Sequence, residues 1–451
     1  MQVYMKNFPS RNNVRFIPML LMACQHVMVM YAGAVAIPLV LGAALGLSKS
    51  DIAFLINADL FACGIVTIIQ ALGVGPIGIR MPVMMGVTFT AIGPMIAIGS
   101  DPTVGLSGIF GATIAAGLFG LAVAPLVGKL LRFFPPVVTG TEIVAVGLSL
   151  MSVAAAWSGG GFGNPDFGRP LYLGIAAAVL VCILLIVRYA KGFLNNISVL
   201  LGLVFGFAVA AMAGLVSLEG IQEAPVFGLI KPFHFGIPTF HIWPIAAMCI
   251  VMLVTFIEST GMFIALGEIV EKPMDERTLV RGFRADAAGT MIGGIFNTFP
   301  YTSYAQNIGL VSITGVRSRW VCACAGMILI VLGLFPKVAY FVASIPPFVL
   351  GGAGIVMFGM VTASGMKVLA RVDFKKVGNL YIVAISLAVG LLPVVSPHFF
   401  SKLPSALGPI LESPILLTAI VATILNLFFN GVGAIPSCQS SESTPAQSQT
   451  P

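Results

Sequence analysis

Apolar stretches recur along almost the whole chain, separated by short polar connections. A helix that spans a membrane needs about 20 mostly apolar residues. On this basis the pattern predicts fourteen segments: 16–44, 52–73, 82–99, 105–127, 136–156, 171–188, 195–217, 242–267, 287–298, 301–314, 320–335, 338–362, 379–396 and 412–430. The third and the tenth segments are short for a full span and are interrupted by Gly or polar residues. The pattern therefore predicts an all-α polytopic membrane protein with two irregular segments.

Composition and charge support this prediction and set an orientation. Only 9% of the residues are charged and 58% are hydrophobic, whereas soluble domains carry about a quarter charged residues. With the N-terminus in the cytoplasm, 18 of the 23 Lys and Arg residues fall on the cytoplasmic side and 5 outside. Basic residues favour the cytoplasmic side of a membrane protein. The formal charge of +7 therefore indicates orientation in the cell inner membrane, with both termini inside, and not nucleic-acid binding.

The fourteen segments divide into two sets of seven, and an odd number per half places the second half in the opposite sense. The predicted regions are the N-terminus 1–15, the first inverted repeat 16–217, an external connection 218–241, the second inverted repeat 242–430 and a disordered tail 431–451. The third segment then corresponds to the tenth. Matched, interrupted segments in two inverted halves point to a transporter's substrate site, because non-helical backbone at membrane depth must line a cavity or be buried in protein.

Four acidic residues lie in or near the apolar segments, where ionisable groups are usually functional. Glu258 is in the middle of the eighth segment with no basic residue within nine positions, which predicts ligand binding or proton exchange. Asp286 is expected to be either a relay group or a loop charge paired with an arginine. Asp59 is expected to hydrogen-bond the broken backbone of the third segment. Glu142 is expected to reach the cytoplasmic interface.

Neutral polar residues at the irregular segments suggest the class of ligand. The amide of Gln306 offers an acceptor and two donors in one plane, which suits the edge of a planar heterocycle, and Asn307 is expected to brace the unwound backbone. Phe89, on the other irregular segment, can stack on such a ring. If these groups converge with Glu258, they suit a nucleobase better than a sugar, an ion or an amino acid. His26, inside the first segment, is either structural or adjacent to the site.

The sequence resembles the nucleobase–ascorbate transporter family at these same residues. Gln306-Asn307-Ile308-Gly309, followed by Thr314-Gly315, fits that family's signature. The likeness extends over nearly the whole chain and includes QHVMVMYAGAVAIPLV, FIESTGMFIALGEIV and RADAAGTMIGGIFNTFP. It is strongest to the bacterial urate/xanthine permease branch.

The resemblance implies a fold and a mode of action. It implies a core domain of spans 1–4 and 8–11, a gate domain of spans 5–7 and 12–14, and a short strand in each of spans 3 and 10, with the substrate between them. It also implies a proton-coupled symporter that imports a purine base by alternating access, forms homodimers and needs no cofactor or metal.

The resemblance also implies roles for individual residues. Glu258 and Gln306 are expected to bind the substrate, Phe89 to stack on it and Ala305 to contact it through the backbone. Thr88 and His26, the polar residue of the first span, are also expected among the substrate-binding residues. Asp286 matches the family's important aspartate of the ninth span, and Asn307 is grouped with it as site support.

Three positions depart from some members of the family. Thr88 stands where some xanthine-selective members have Asn and resembles the urate-accepting relatives, so urate should be tolerated or preferred. Met262 stands where some relatives have an acid. Glu142 has no counterpart in the family pattern.

Other functions are weighed against this one. Uracil or another nucleobase is an alternative substrate, and Na⁺ is an alternative coupling ion. An inorganic-anion transporter of the same architecture would prefer helix N-termini and a basic residue at the midplane. A receptor or scaffold has no soluble signalling domain to support it, and an enzyme has no nucleophile–base pair or metal cluster.

Overall fold

The computed structural model describes residues 16–127, 135–161, 163–217, 221–272, 274–404 and 407–431. The predicted N-terminal region, residues 1–15, lies outside the described residues, as does the predicted tail apart from Gly431. Lys129 and Arg132, two of the residues assigned to the cytoplasmic side, also lie outside them.

Among the described residues, the first half of the chain contains seven helices of eight or more residues and one short strand. They are α1 Phe16–Ala44, α2 Lys49–Leu72, β1 Met85–Val87, α3 Ile92–Ser100, α4 Gly105–Val123, α5 Pro136–Ser158, α6 Pro170–Tyr189 and α7 Ser198–Met212. Short 3₁₀ turns cover Phe89–Ala91 and Ala124–Leu126, and one helical turn covers Phe193–Asn196.

In the described part of the second half, helices again flank one short strand. Its elements are α8 Ile242–Ile269, α9 Glu276–Ile295, β2 Tyr301–Ser303, α10 Ala305–Thr314, α11 Arg319–Gly333, α12 Pro336–Ala343, α13 Pro347–Leu369, α14 Val377–Gly390 and α15 Pro414–Asn430. Single helical turns cover Leu392–Val395 and Gly408–Leu411. The described residues are therefore predominantly helical.

Many of these helices are long and apolar enough to cross a membrane. Among the described residues eight helices meet this condition, and a ninth crossing results if α11 and α12, which meet at a bend of 81°, form one span. Shorter apolar helices include α7, α15 and the stretch Phe89–Ser100. The chain is thus a multi-pass membrane protein.

Two predicted segment boundaries are wrong, and local sequence explains both. The predicted segment 338–362 is divided, since α12 ends at Ala343 and α13 begins at Pro347; proline lacks an N–H and disfavours a helical residue before it. The predicted ninth segment begins at residue 287, whereas α9 begins at Glu276. Asp275 caps that helix by accepting a hydrogen bond from the Thr278 N–H at 3.0 Å, a common start signal.

The two strands pair with each other and join the two halves of the chain. They are antiparallel, with Met85 opposite Ser303, Gly86 opposite Thr302 and Val87 opposite Tyr301. One N–H of each strand points to a threonine on a neighbouring helix. The Met85 N–H donates to Thr67 Oγ1 of α2 at 3.0 Å, and the Tyr301 N–H donates to Thr290 Oγ1 of α9 at 3.2 Å. The helix breaks therefore keep their backbone groups hydrogen-bonded, as membrane depth requires.

The helices pack in two sets. The first helix set contains α1–α4 and α8–α12 together with both strands; α11 packs on α2, and α9 packs on α4. The second helix set contains α5–α7 and α13–α15, with α13 packed along α5 and α14 against α15. Gly147 of α5 allows close contact with Thr362 of α13, where a larger side chain would overlap. A cavity lies between the two sets.

Candidate binding cavity between the helix sets

The cavity has a volume of about 510 Å³, which is in the range of small-molecule sites. From the first helix set it is lined by residues that follow each strand and by α8. From the second set it is lined by α5 and by the C-terminal half of α13. Both predicted breaks therefore face the same space.

The second break supplies an amide and free backbone donors to the cavity. Ala305 and Gln306 are the first two residues of α10, and both are exposed in the cavity. No side chain caps this helix, and the first N–H groups of a helix have no partner within it. Among the described residues the Gln306 side chain has no hydrogen-bond partner. This end of α10 is arranged to donate to a ligand.

The first break supplies an aromatic ring. Phe89 lies in the 3₁₀ turn after β1, is half-buried and lines the cavity. Its ring makes an edge contact with Phe358 of α13, with 6.0 Å between the ring centroids. Thr88 caps the turn by accepting a hydrogen bond from the Thr90 N–H at 3.3 Å. The turn thus fixes the position of the ring.

Glu258 of α8 connects these groups. It is partly exposed and lines the cavity. The Thr88 hydroxyl donates to Glu258 Oε2 at 3.3 Å, so Thr88 lies behind the carboxylate and is not among the described residues that line the cavity. A carboxylate, an amide and an aromatic ring therefore converge on one cavity. Such a set can hold a flat molecule that carries N–H and C=O groups.

Two other predicted residues pair with each other away from the cavity lining. Asn307 Nδ2 donates to the His26 carbonyl oxygen at 2.9 Å and lies 3.1 Å from His26 Nδ1. Both side chains are buried, and neither is among the described residues that line the cavity. His26 thus supports α10 from α1, at one helical position from Gln306.

Asp286 is buried inside α9 and is not paired with an arginine among the described residues. Gln70 Nε2 of α2 donates to Asp286 Oδ1 at 3.0 Å and to the Gly282 carbonyl oxygen at 3.2 Å. The other amide atom, Gln70 Oε1, accepts from the Ile79 N–H at 2.9 Å. Asp286 therefore belongs to a buried network between α2 and α9, and the alternative of a loop charge is wrong.

Asp59 hydrogen-bonds a different break from the one expected. Its Oδ1 accepts from the Tyr301 hydroxyl at 2.8 Å and from the Thr298 hydroxyl at 3.1 Å. These residues belong to the second break and not the first, so the expected partner is wrong. Because β1 pairs with β2, Asp59 of α2, the helix before β1, lies within hydrogen-bond distance of Tyr301 in β2.

The expectation that Glu142 reaches the cytoplasmic interface is wrong. It is 2% exposed and lines the cavity, as does Lys367 of α13, whose side chain is exposed. Sequence reasoning missed both residues as cavity groups. The available signal was helical spacing, since Glu142 and Val146 are one turn apart and both face the cavity.

The fold and the cavity together define a class of protein. Two matched helix breaks meet at a cavity between two sets of membrane-spanning helices, which is the arrangement of a secondary transporter. A family model with the description "Permease family" matches residues 18–399. The chain belongs to this family of xanthine and uric acid permeases, and it is a transporter and not an enzyme.

Relatives of this chain carry related names. It is 56% identical over 415 residues to "Uric acid transporter UacT" of Escherichia coli (strain K12), covering 92% of this chain and 86% of the relative. It is 44% identical to "Xanthine permease" of Bacillus subtilis (strain 168), covering 90% and 92%. It is 43% identical to "Uric acid permease PucJ" of the same organism, covering 91% and 92%.

Solved structures with a similar fold are more distant in sequence. The transmembrane domain of a cyanobacterial bicarbonate transporter, BicA, matches with a TM-score of 0.58 at 19% identity, covering 94% of this chain and 99% of that one. SLC26A9 matches with a TM-score of 0.61 at 14% identity, covering 91% and 65%. These likenesses show a shared fold.

Proposed function

We propose that this chain imports purine bases, urate and xanthine, in symport with protons and by alternating access. The observation that carries the proposal is the convergence of Glu258, Gln306 and Phe89 on one cavity. The names of the relatives, which are uric acid and xanthine transporters, support the same substrate class.

The lining groups suit the chemistry of an oxidised purine. Glu258 accepts N–H groups from one edge of the ring, and Gln306 pairs with an adjacent N–H and C=O. Phe89 contacts the ring face. The backbone N–H of Ala305, at the open end of α10, donates to a ring oxygen. His26 and Asn307 hold α10 in place and so keep Gln306 directed at the substrate.

Urate is accepted alongside xanthine because of Thr88. Its hydroxyl donates to Glu258 and so fixes the carboxylate on the substrate side. Met262, one helical turn after Glu258, also lines the cavity and leaves this stretch of α8 without a second acid.

Proton coupling is assigned to Glu258 and Asp286. Glu258 faces the cavity and is in reach of both substrate and water, while Asp286 is buried in the first helix set. One oxygen of Asp286 accepts from Gln70, and its Oδ2 has no hydrogen-bond partner in the described residues. A proton on the Asp286 carboxylate removes a buried charge, which favours its uptake in this position.

The finer architecture follows the same proposal. The chain has fourteen spans in two inverted repeats, residues 16–217 and 242–430 joined by 218–241. The first helix set is the core domain and the second is the gate domain. The protein forms homodimers in the bilayer of the cell inner membrane, with both termini in the cytoplasm.

Transport of an inorganic anion on this fold is the alternative. The structural relatives include a bicarbonate transporter, but the cavity here is lined by two carboxylates, Glu142 and Glu258, and, among the described residues, one exposed cation, Lys367. Two acids disfavour a small inorganic anion, which lacks the ring N–H groups that a purine can donate to them.

Uptake of radiolabelled urate, xanthine and uracil into permease-deficient cells tests the proposal. We expect saturable uptake of urate and xanthine that a protonophore abolishes. Glu258→Ala and Gln306→Ala should abolish uptake at normal membrane abundance, while Glu268→Ala, an exposed acid on the same helix, should not. Uptake of bicarbonate or sulfate in place of purines would contradict the proposal, as would full activity in Glu258→Ala.

A further inference from the structure

Glu142 is a buried acid in the cavity that the proposed function leaves unused. It projects from α5, in the second helix set, whereas Glu258 and Gln306 belong to the first set. It is 2% exposed, and within the described residues its carboxylate has no hydrogen-bond partner and no ion pair. A buried carboxylate without partners is unfavourable, so its presence calls for a ligand that fills this role.

The polar groups that can reach Glu142 are those in the cavity. Other cavity residues nearby on α5 are Ile143 and Val146, which are apolar. The charged groups that share the cavity are Glu258 from α8 and Lys367 near the end of α13. Lys367 is exposed and forms no ion pair in the described chain. Since no group in the described chain donates to Glu142, its carboxylate is free to accept from a ligand in the cavity.

A purine has hydrogen-bonding groups on two opposite edges. If Glu258 and Gln306 take one edge, as proposed above, the other edge faces the second helix set, where Glu142 lies. Urate has an N–H on both nitrogens of its five-membered ring, whereas xanthine has one N–H and one lone pair there. A carboxylate attracts N–H groups and repels a lone pair.

We propose that Glu142 is a specificity-determining residue that accepts an N–H from the five-membered ring of the bound purine. The inference rests on the proposed function and adds the second edge of the same site. The substrate then bridges the two helix sets, with Glu258 on one side and Glu142 on the other. The co-transported proton balances the negative charge that urate carries near neutral pH.

The contribution of such a contact is measurable. A hydrogen bond to a charged group contributes about 1.5–3 kcal/mol, which corresponds to about tenfold or more in affinity. Glu142→Ala should therefore weaken urate by about tenfold or more and xanthine by less, so that the urate-to-xanthine affinity ratio falls. Glu142→Gln keeps an acceptor of the same shape without the charge, so its urate affinity should lie between those of wild type and Glu142→Ala.

Calorimetric titration of the purified, detergent-solubilised protein tests this inference with a ligand series. The series contains urate, xanthine, 7-methylurate and 9-methylurate, and the variants are wild type, Glu142→Ala, Glu142→Gln and the matched control Glu268→Ala. Each methylated urate keeps one N–H on the five-membered ring, so in wild type the one whose methyl group replaces the N–H that Glu142 accepts binds worse than urate. Its penalty should shrink in Glu142→Ala and stay unchanged in Glu268→Ala.

The outcomes separate this inference from the proposed function. If wild type binds no purine, the proposed function fails. If wild type binds urate but Glu142→Ala leaves the urate-to-xanthine ratio unchanged, or weakens every ligand alike, the role of Glu142 is overturned while the proposed function stands. If neither variant folds, the wild-type series alone decides: equal affinity for urate and both methylated urates overturns the inference.

Discussion

The two helix breaks use the same backbone device and present different chemistry. In each, a three-residue strand is followed by a helical turn that faces the cavity, and in each a threonine on the preceding helix accepts a strand N–H: Thr67 for β1 and Thr290 for β2. The first break then presents the ring of Phe89 and the second the amide of Gln306.

This difference indicates that the break in each half of the chain offers a different kind of contact. Backbone geometry is shared because both strands must satisfy their N–H and C=O groups in the same environment. Side chains are not constrained in this way, so one break contributes apolar area and the other contributes directional hydrogen bonds. On the proposed function, we expect the backbone of the breaks to determine where a ligand lies and their side chains to determine which ligand binds.

The largest effect is expected where the two breaks touch. A side chain at Gly86 of β1 would overlap the ring of Tyr304, the residue that follows β2. Overpacking in a close-packed interior costs about 1–3 kcal/mol. We expect Gly86→Val to lower the free energy of unfolding by about 3 kcal/mol and to abolish uptake, as measured by denaturation in detergent and by transport.

Gly261→Val is the matched control for Gly86→Val. Gly261 lies on α8, and nothing among the described residues lies within 4 Å of an added Cβ there. Normal stability in Gly86→Val would contradict the close contact between the strands and Tyr304.

The equivalence of the two threonines is tested by removing each hydroxyl. Thr67→Val and Thr290→Val each leave one buried strand N–H without an acceptor, which costs about 1–3 kcal/mol. We expect losses of about 2 kcal/mol in the free energy of unfolding for each variant. Thr67→Ser and Thr290→Ser keep the acceptor and should lose less. A large loss in one variant and none in the other would show that the breaks are not equivalent.

Because one break presents an aromatic ring and the other an amide, substitutions in them should produce two kinds of binding defect. Phe89→Ala removes a ring contact of about 0.5–1.5 kcal/mol and should weaken all purines by a similar factor, up to about tenfold. Gln306→Ala should weaken purines selectively, with the largest loss for those that offer an adjacent N–H and C=O. Affinities for xanthine, hypoxanthine and adenine in both variants check this; identical profiles would contradict the assignment.

The smallest effect is expected at Thr88, behind Glu258. The hydrogen bond to the Glu258 carboxylate is long, at 3.3 Å, and bonds weaken with distance. Thr88→Val should lower urate affinity by about threefold, near the lower end of hydrogen-bond contributions, and Thr88→Ser should restore it. A hundredfold loss in Thr88→Val would mean that Thr88 touches the substrate directly.

The sequence predicts which residues belong to this site better than it predicts which of them face the cavity. Polar residues inside apolar segments stand out because their burial is unfavourable without a purpose, and Glu258 and Gln306 can be identified in this way. The direction of a side chain is less accessible. His26 and Asn307 occupy apolar segments too, yet they bond each other, because helix rotation places them between α1 and α10.

The helix boundaries and Glu142 show where sequence patterns are insufficient. Hydropathy alone does not show that Pro346 and Pro347 divide one apolar run into two helices. It also assigns the polar first turns of α9 to a loop, although they are helical. Glu142 lies only six residues after the first residue of α5, a depth that suggests an interface. The cavity reaches this depth because α13 packs along α5, and Lys367, near the C-terminal end of α13, lines the cavity there. This contact between two helices cannot be inferred from the sequence of either helix alone.

The pairing of β1 with β2 has a consequence for how a ligand travels. Because the strands are hydrogen-bonded across the two halves of the chain, the residues on either break cannot separate without breaking that ladder. On the proposed function, we therefore expect a ligand held by both breaks to move together with the first helix set relative to α5 and α13. A covalent cross-link between β1 and β2 should leave turnover intact, whereas one between α8 and α5 should stop it.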